Sequence, residues 1–451
     1  MKTALTTHQQ EVYEAIISDI KQNLSSIIRS SDIEDHFLSL TGPAGVGKSH
    51  ITVQILKGLM GLGNICVTAP TNKAVKVLKD MIDSSAVFNA DVRTIHSFLN
   101  IRPVKDYNTG EEKFSVLRTK RNLPQASLLI VDESSMVSDD LYSFIVEAFN
   151  RGQVNTVLFV GDPYQLLPIN QGENVVFKLK RQYLLTEIVR QAKESNIIKL
   201  ATQIRKRIET QNFINFSELL AGNETEDIAF FEDKKRFLKD FYKNENWYNE
   251  DKILTSFTNK DIDSFNQHIR DHYWGEHGIR DAAHFVAGDM IRFKSTFEHR
   301  PIAWAYSPPL FQNGDEVQIA SARLVQREGA SIKYWECTAV GRKETEIFRV
   351  IDQDSLTQFN QQLNLYVQFA KTADYRYKKR YWGQYFRLKN AFADIQYIHA
   401  ATIHKLQGST YDTVYIDIST LINNEKVSND FKYRLLYVAI TRARSKVNIF
   451  Y

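Results

Sequence analysis

Short, continuous apolar runs punctuate the first half of the chain: "FLSLT" at 37–41, "NICVTAP" at 64–70, "SLLIVDE" at 127–133 and "NTVLFVGDP" at 155–163. A run that is apolar at nearly every position and bounded by turn residues predicts a strand buried on both faces, as in parallel sheets. Between the runs, residues 6–29 and "SHITVQILKGLMG" carry apolar positions at helical spacing, the second closing on glycine. The first half therefore reads as a doubly wound α/β domain. The pattern restarts at "YLLTEIVRQ", continues as strand and helix in "KILTSFTNKDIDSFNQHI", and ends as strand, helix, strand in "DTVYIDIS", "LLYVAITRAR" and "KVNIFY", so a second α/β domain is expected.

Two segments break this rhythm. In "GDMIRFKS", "NGDEVQIASARL", "IKYWECTAV" and "TEIFRVI", polar and apolar residues alternate around Gly-Asp and Asn-Gly turns, which predicts a small antiparallel β insertion. The stretch "IRPVKDYNTGEEKFSVLRTKRNL" centres on Asn-Thr-Gly and predicts an exposed hairpin. The expected boundaries are 1–100 and 124–178 for the first α/β domain, 101–123 for the hairpin, 179–287 and 396–451 for the second α/β domain, and 288–395 for the insertion.

Composition agrees with several domains, because 451 residues exceed the size at which one core keeps growing. With 43% hydrophobic and 24% charged residues and no apolar run of membrane-spanning length, a water-soluble chain is expected. The N-terminus turns polar too soon for a secretory signal, so a cytoplasmic location is expected. Cys66 and Cys337 lie far apart and outside any Cys/His cluster, which excludes a disulfide framework or structural zinc and leaves core packing. A net charge of +4 permits an anionic partner without arguing for one.

The strongest chemical signal is "GPAGVGKS" at 42–49, which fits the G-x-x-x-x-G-K-[ST] phosphate loop with a strand before it and a helix after it. Gly42, Gly45 and Gly47 let backbone N–H groups face phosphates, Lys48 reaches the outer phosphates, and the Ser49 hydroxyl can hold magnesium. ATP and Mg2+ are the expected ligands. Asp132 and Glu133 end a buried strand downstream, where Asp132 can coordinate the metal and Glu133 can take a proton from attacking water. Gln165 in "GDPYQLLPI" suits sensing of the third phosphate or orienting water, and Arg190 and Arg442 are candidates to stabilise the charge of phosphoryl transfer. Arg444 reads as a helix-surface residue.

Nine motifs in order, "GPAGVGKS", "APTNKAVKVL", "TIHSFL", "IVDESSM", "GDPYQLLPI", "LTEIVRQ", "SFTNKDIDSFN", "ATIHKLQGST" and "LLYVAITRAR", resemble the successive motifs of superfamily 1B DNA helicases over nearly the whole chain. The resemblance implies two RecA-like domains, a pin hairpin and a Src-homology-3-like β-barrel insertion. It also implies ATP-driven movement on single-stranded DNA from 5′ to 3′, with unwinding of duplexes in replication, recombination or repair. The implied partners are single-stranded DNA, single-strand/duplex junctions, single-strand-binding protein and other replication proteins, with a functional monomer and no membrane.

By this resemblance Lys48, Ser49, Asp132, Glu133, Gln165, Arg190 and Arg442 form the ATP site, and Gln9 reads adenine, with Gln10 as the neighbouring register. Thr71, Asn72, Thr94, His96, Thr402 and His404 would line the strand groove, where small hydroxyl, amide and imidazole groups can bond phosphate and sugar without reading sequence. In "ATIHKLQGST", Gln407, Gly408 and Ser409 would face the nucleotide while Thr402 and His404 touch DNA. Phe114 is either the separating wedge of the hairpin or a ring packed on a neighbouring domain. "YRYKKRYWGQYFRLKN" at 375–390 is either a single-strand platform or, preferably, a helix packing its aromatic face on the insertion. Alternatives at this stage are an RNA-remodelling enzyme, a 3′ to 5′ motor, the motor subunit of a nuclease complex, and a scaffold that binds nucleic acid without hydrolysis.

Overall fold

The structure, a computed structural model, describes residues 5–25, 32–85, 90–116, 123–168, 174–188, 195–279, 283–298, 310–326, 332–340 and 345–451. The chain divides into two compact units. The first, Met1–Ile101 with Val116–Asn259 and Ala401–Tyr451, contains both parallel sheets.

Its six-stranded sheet runs, in hydrogen-bonded order, Ala90–Thr94, Ile65–Ala69, Ala126–Val131, Val154–Gly161, Phe37–Thr41 and Arg181–Leu184, with parallel pairings throughout. The central strands are those read from continuous apolar runs, and Phe37–Thr41 is buried at all five positions. Both edge strands are polar. "ADVRT" is half-buried throughout and "RQYL" alternates half-buried and exposed, so neither shows the apolar run of a central strand. That is why Arg181–Leu184, expected to open the second domain, instead completes the first sheet, Leu38 pairing with Arg181 and Thr41 with Leu184. The expected boundary at 178/179 is therefore displaced toward the C-terminus.

The second sheet has the order Ala400–Thr402, Lys252–Ser256, Tyr411–Asp417, Ala443–Phe450 and Ile228–Phe231, with the last four strands mutually parallel. Its principal helix, Asn429–Ile440, buries eight of its twelve residues. A helix covered on nearly every side has a second packing partner besides its own sheet.

The second unit, Arg102–Ser115 with Lys260–Ala400, is built on an antiparallel sheet ordered Thr345–Ile351, Tyr334–Val340, Glu316–Val325, Met290–Phe293 and Ile395–Tyr397. The Ala393 N–H donates to the Arg349 carbonyl (2.7 Å), so the chain entering the last strand also touches the first. The sheet thereby curls around Phe293, Phe311, Phe348 and Cys337, with Phe293 and Phe311 stacked at 4.2 Å. Two helices, Leu356–Thr372 and Tyr375–Lys389, form a hairpin held by Ala370 and a Phe369–Tyr381 ring contact at 5.4 Å.

The β-hairpin Ile101–Lys105/Glu112–Val116 is mostly exposed and has no core of its own. It groups with this second unit because its tip packs on the helix Tyr375–Lys389: Tyr107 meets Phe386 edge-on at 5.6 Å, and Glu112 pairs with Lys389 at 3.0 Å. The "YRYKKRYWGQYFRLK" tract is thus a helix, as preferred, but its buried Trp382 and Phe386 serve the hairpin tip rather than the sheet.

Gly110 has φ +77°, and a Cβ there would lie 2.2 Å from the Trp382 ring. Gly110→Ala is expected to loosen the hairpin by about 1–2 kcal/mol, raising amide exchange across 101–116 about tenfold while global unfolding moves little. Unchanged exchange in the hairpin would show that this close approach does not hold it.

Candidate functional site

In a parallel sheet all C-terminal strand ends share one edge, and chain segments leaving that edge build ligand sites. Here the strand order sets the candidate residues side by side: Thr94, Thr71 with Asn72, Asp132 with Glu133, Asp162 to Gln165, and the phosphate loop.

The loop is shaped for close backbone approach. Gly45 and Gly47 have φ +81° and +83°, and a Cβ on Gly42 would lie 2.7 Å from the Leu185 carbonyl. The helix Lys48–Gly58 begins without a side-chain cap, leaving its first N–H groups for an anion. Lys48 Nζ donates to the Gly42 and Pro43 carbonyls at 2.6 and 2.9 Å, using two of its three protons within the loop. Gln9 is buried, donating to the Val46 carbonyl (2.9 Å) and accepting from Thr6 N–H (3.1 Å), whereas exposed Gln10 bonds Glu14. The geometry attaches Gln9, not Gln10, to the loop.

Asp132 follows its strand directly, its N–H donating to the Thr68 carbonyl (2.8 Å). Burial, and after it the Glu133 charge, push the Asp132 carboxyl well above the ordinary carboxylate range, against the opposing pull of the Glu133 N–H and Lys48. A half-buried acid with so little compensating positive charge fits a cation ligand. Glu133 has φ +50°, a left-handed backbone that costs a non-glycine residue about 1–2 kcal/mol.

The second sheet supplies the facing wall of this site. Arg442 is buried, bonded to the Val438 and Ser409 carbonyls, with Nη1 3.8 Å from Glu133 Oε1. Gly408, at φ +71°, could carry no Cβ without meeting Ala74 at 3.0 Å and Glu133 at 3.7 Å. Gln407 reaches the Leu166 carbonyl at 3.4 Å. Gln165 is buried, and its Oε1 has no protein partner among the described residues, as suits an acceptor for water. Arg190 lies outside the described residues. Arg444 lies on the strand Ala443–Phe450 rather than on a helix and pairs at the surface with Asp251.

Thr71 caps the helix Asn72–Ser84 through Ala74 N–H, and Thr94 caps Ile95–Leu99 through Ser97 N–H. Asn72 opens the first of these helices. Thr402 precedes the turn Ile403–Leu406 without a side-chain capping bond, unlike the other two threonines. Burial holds both His96 and His404 below the usual histidine range, so they are neutral at pH 7 and can hydrogen-bond without carrying charge. Phe114 is 61% exposed on the hairpin.

Sequence reading missed the contacts that join these parts. The Tyr437 O–H donates to Asp162 Oδ2 (2.7 Å), and the same oxygen accepts the Ala44 N–H of the phosphate loop (2.9 Å). Burial and the Asp162 charge raise the Tyr437 hydroxyl far above ordinary phenols, so it stays protonated. One turn earlier, Arg434 donates to the Pro163 and Gln165 carbonyls at 2.7 and 3.0 Å. Lys73 bonds the Tyr411 hydroxyl and sits 4.4 Å from its ring centre. The available signal was a hydroxyl and a guanidinium within the apolar run "RLLYVAI", since buried polar groups require partners.

Fold and site together define a P-loop nucleoside triphosphatase with two parallel-sheet lobes. Residues 25–218 match the family model described as an AAA domain, and 397–450 that of a UvrD-like helicase C-terminal domain. The chain is 27% identical to the ATP-dependent DNA helicase Dda of Enterobacteria phage T4, over 98% of each chain. It is also 27% identical to the ATP-dependent DNA helicase Pif1 of Campylobacter jejuni, over 51% of this chain and 49% of that one. A Pif1 helicase solved for unwinding of forked duplex DNA shares the fold at TM-score 0.51 and 20% identity, covering 99% of this chain and 92% of that one. The resemblance to superfamily 1B DNA helicases read from the ordered motifs is thereby borne out.

Tyr437→Phe removes one hydroxyl and leaves the buried Asp162 oxygen and Ala44 N–H without that partner. Loss of such a bond costs about 1–3 kcal/mol, so steady-state ATP hydrolysis is expected to fall about five- to a hundredfold in kcat with the fold retained by circular dichroism. A wild-type kcat would show that the bridge is not used in turnover.

Proposed function

We propose that this chain is an ATP-dependent DNA helicase that moves on single-stranded DNA from 5′ to 3′ and separates duplexes during replication, recombination or repair. The observation that carries the reading is the reach of the second lobe: Tyr437, Arg434 and Arg442 touch the phosphate loop, the Asp162–Gln165 turn and Glu133, while Gly408 abuts Ala74 in the helix capped by Thr71. A change at the nucleotide therefore has a direct contact path to a strand-facing position.

In this reading Gln9 reads adenine, and Gly42, Gly45, Gly47 and Lys48 hold the phosphates. Glu133 takes the proton of a water oriented by Gln165, while Arg442, joined by Arg190, stabilises charge on the transferred group. Among the described residues no cluster of three His, Cys, Asp or Glu side chains could hold a metal unaided. Magnesium would thus be held by Asp132 and Ser49 together with the nucleotide, the usual sharing for this ion, and would neutralise phosphate charge.

Thr71, Asn72, Thr94, His96, Thr402 and His404 bind the strand, Phe114 serves as the wedge of a hairpin pin, and the antiparallel insertion corresponds to a Src-homology-3-like tower. A monomer acting in the cytoplasm on junctions coated with single-strand-binding protein completes the proposal. No helix among the described residues is long and apolar enough to cross a membrane.

Duplexes with a 5′ or a 3′ single-stranded tail, incubated with ATP, separate the readings. Strand separation is expected with the 5′ tail alone, and preference for the 3′ tail or for RNA would reverse the assignment. Lys48→Ala should lower hydrolysis at least about 10²–10³-fold, the range for removing one preorganised charge contact, with single-strand binding retained. Phe114→Ala is expected to slow unwinding about five- to tenfold, from the roughly 1–3 kcal/mol of base stacking, while DNA-stimulated hydrolysis persists. Equal losses in both assays would remove the wedge role.

A further inference from the structure

We propose that the outward face of the helix Tyr375–Lys389 is a second DNA-binding surface, one that holds the phosphate backbone of the duplex beside the hairpin tip; it rests on the helicase reading above. Basic residues outnumber acidic ones by only 57 to 53 along the whole chain. This one helix carries Arg376, Lys378, Lys379, Arg380, Arg387 and Lys389 and no carboxylate. So local a concentration of one charge needs an explanation.

Packing sorts the side chains into two sets. Trp382 and Phe386 are buried against Gly110 and Tyr107 of the hairpin tip, and Lys389 is taken up by Glu112. Arg376, Lys379, Arg380 and Arg387 are exposed, and among the described residues none of them is ion-paired. Arg376, Arg380 and Arg387 share one stripe at helical spacing, about 16 Å long at the rise of an α-helix. A duplex offers about one phosphate charge per 1.7 Å of axis, at fixed positions along a rigid rod. A straight row of guanidinium groups complements that array.

The duplex is favoured over a single strand by where the rings lie. A single-strand platform needs aromatic faces beside the cations. Trp382 and Phe386 are buried, and Tyr381 and Tyr385 are half-buried against neighbouring rings. The exposed tyrosines of this helix, Tyr375 and Tyr377, stand beside Arg376 at its first turn only, so no exposed ring accompanies the stripe as far as Arg387. Because the same helix is fastened to the hairpin tip, DNA that meets the hairpin meets this stripe.

The test uses the full chain carrying Arg376→Gln, Arg380→Gln and Arg387→Gln together, all on the exposed face. Equilibrium binding is read by fluorescence anisotropy without nucleotide on a blunt duplex, a fork and a single-stranded oligonucleotide. Duplex and fork affinities are expected to fall about tenfold at about 100 mM salt, and the slope of duplex affinity against salt to shrink by about 2–3, as for three lost phosphate contacts. Single-strand affinity and single-strand-stimulated hydrolysis should stay within about twofold, because the neutralised contacts belong to the duplex. Equal weakening on single strand and duplex, or no change on any substrate, overturns the proposal. Failure of the helicase reading shows separately, as absence of ATP-driven strand separation by the unsubstituted chain.

Discussion

One buried hydroxyl holds the nucleotide site together. Tyr437, on a helix of the second sheet, accepts a hydrogen bond from the phosphate loop at Ala44 and donates one to Asp162, a carboxylate with no exposed surface. Neither bond can lengthen gradually without leaving a buried polar group unmatched, and such groups are costly in a low-dielectric setting. A change of arrangement between the two sheets would therefore have to break these bonds outright and hand the groups to water. Discreteness of this kind turns a small change at a ligand into a defined shift of a lobe.

The contacts that accompany Tyr437 distribute that shift. Arg434 grips the main chain of the turn that carries Gln165, fastening that turn to the helix Asn429–Ile440. The helix ends beside Arg442, whose guanidinium is committed to its own lobe through Val438 and Ser409 while facing Glu133. Gly408 lies close against Ala74, where a Cβ would come within 3.0 Å, in a left-handed conformation at φ +71°. Lys73 and Tyr411 add a polar contact next to Asn72. In the proposed cycle, phosphoryl-transfer groups and strand-contacting threonines are thus separated by one or two packed residues, and no longer relay is required.

How much of this was legible in the sequence follows from the range of the interactions. The central strands and the phosphate loop are written in local patterns, continuous apolar runs and glycine spacing, and the structure places them as read. Strand Ala90–Thr94 was not read and Arg181–Leu184 was assigned to the second domain, because an edge position buries only half a strand and leaves "ADVRT" and "RQYL" without apolar continuity. The grouping of the hairpin with the insertion depends on Trp382 meeting Gly110, residues distant in the chain whose pairing no local spacing encodes. The same holds for the site. Lys48 at the start of its helix, Asp132 and Glu133 at a strand end and Gln165 in the turn after one could be found by motif, whereas Tyr437 and Arg434 matter through partners that only tertiary packing brings near.

Charge is divided in a way that would suit the proposed movement along a strand. The residues proposed to hold the single strand are uncharged: Thr71, Asn72, Thr94 and Thr402, with His96 and His404 kept neutral by burial. Neutral hydrogen bonds contribute about 1 kcal/mol each and release no counterions, so such contacts can be broken and remade within one nucleotide cycle. Fixed cations would bind the backbone more tightly and oppose each step. The helix Tyr375–Lys389 instead carries Arg376, Arg380 and Arg387, exposed and without an ion pair among the described residues, which in the proposed reading would supply a sequence-independent grip on the duplex.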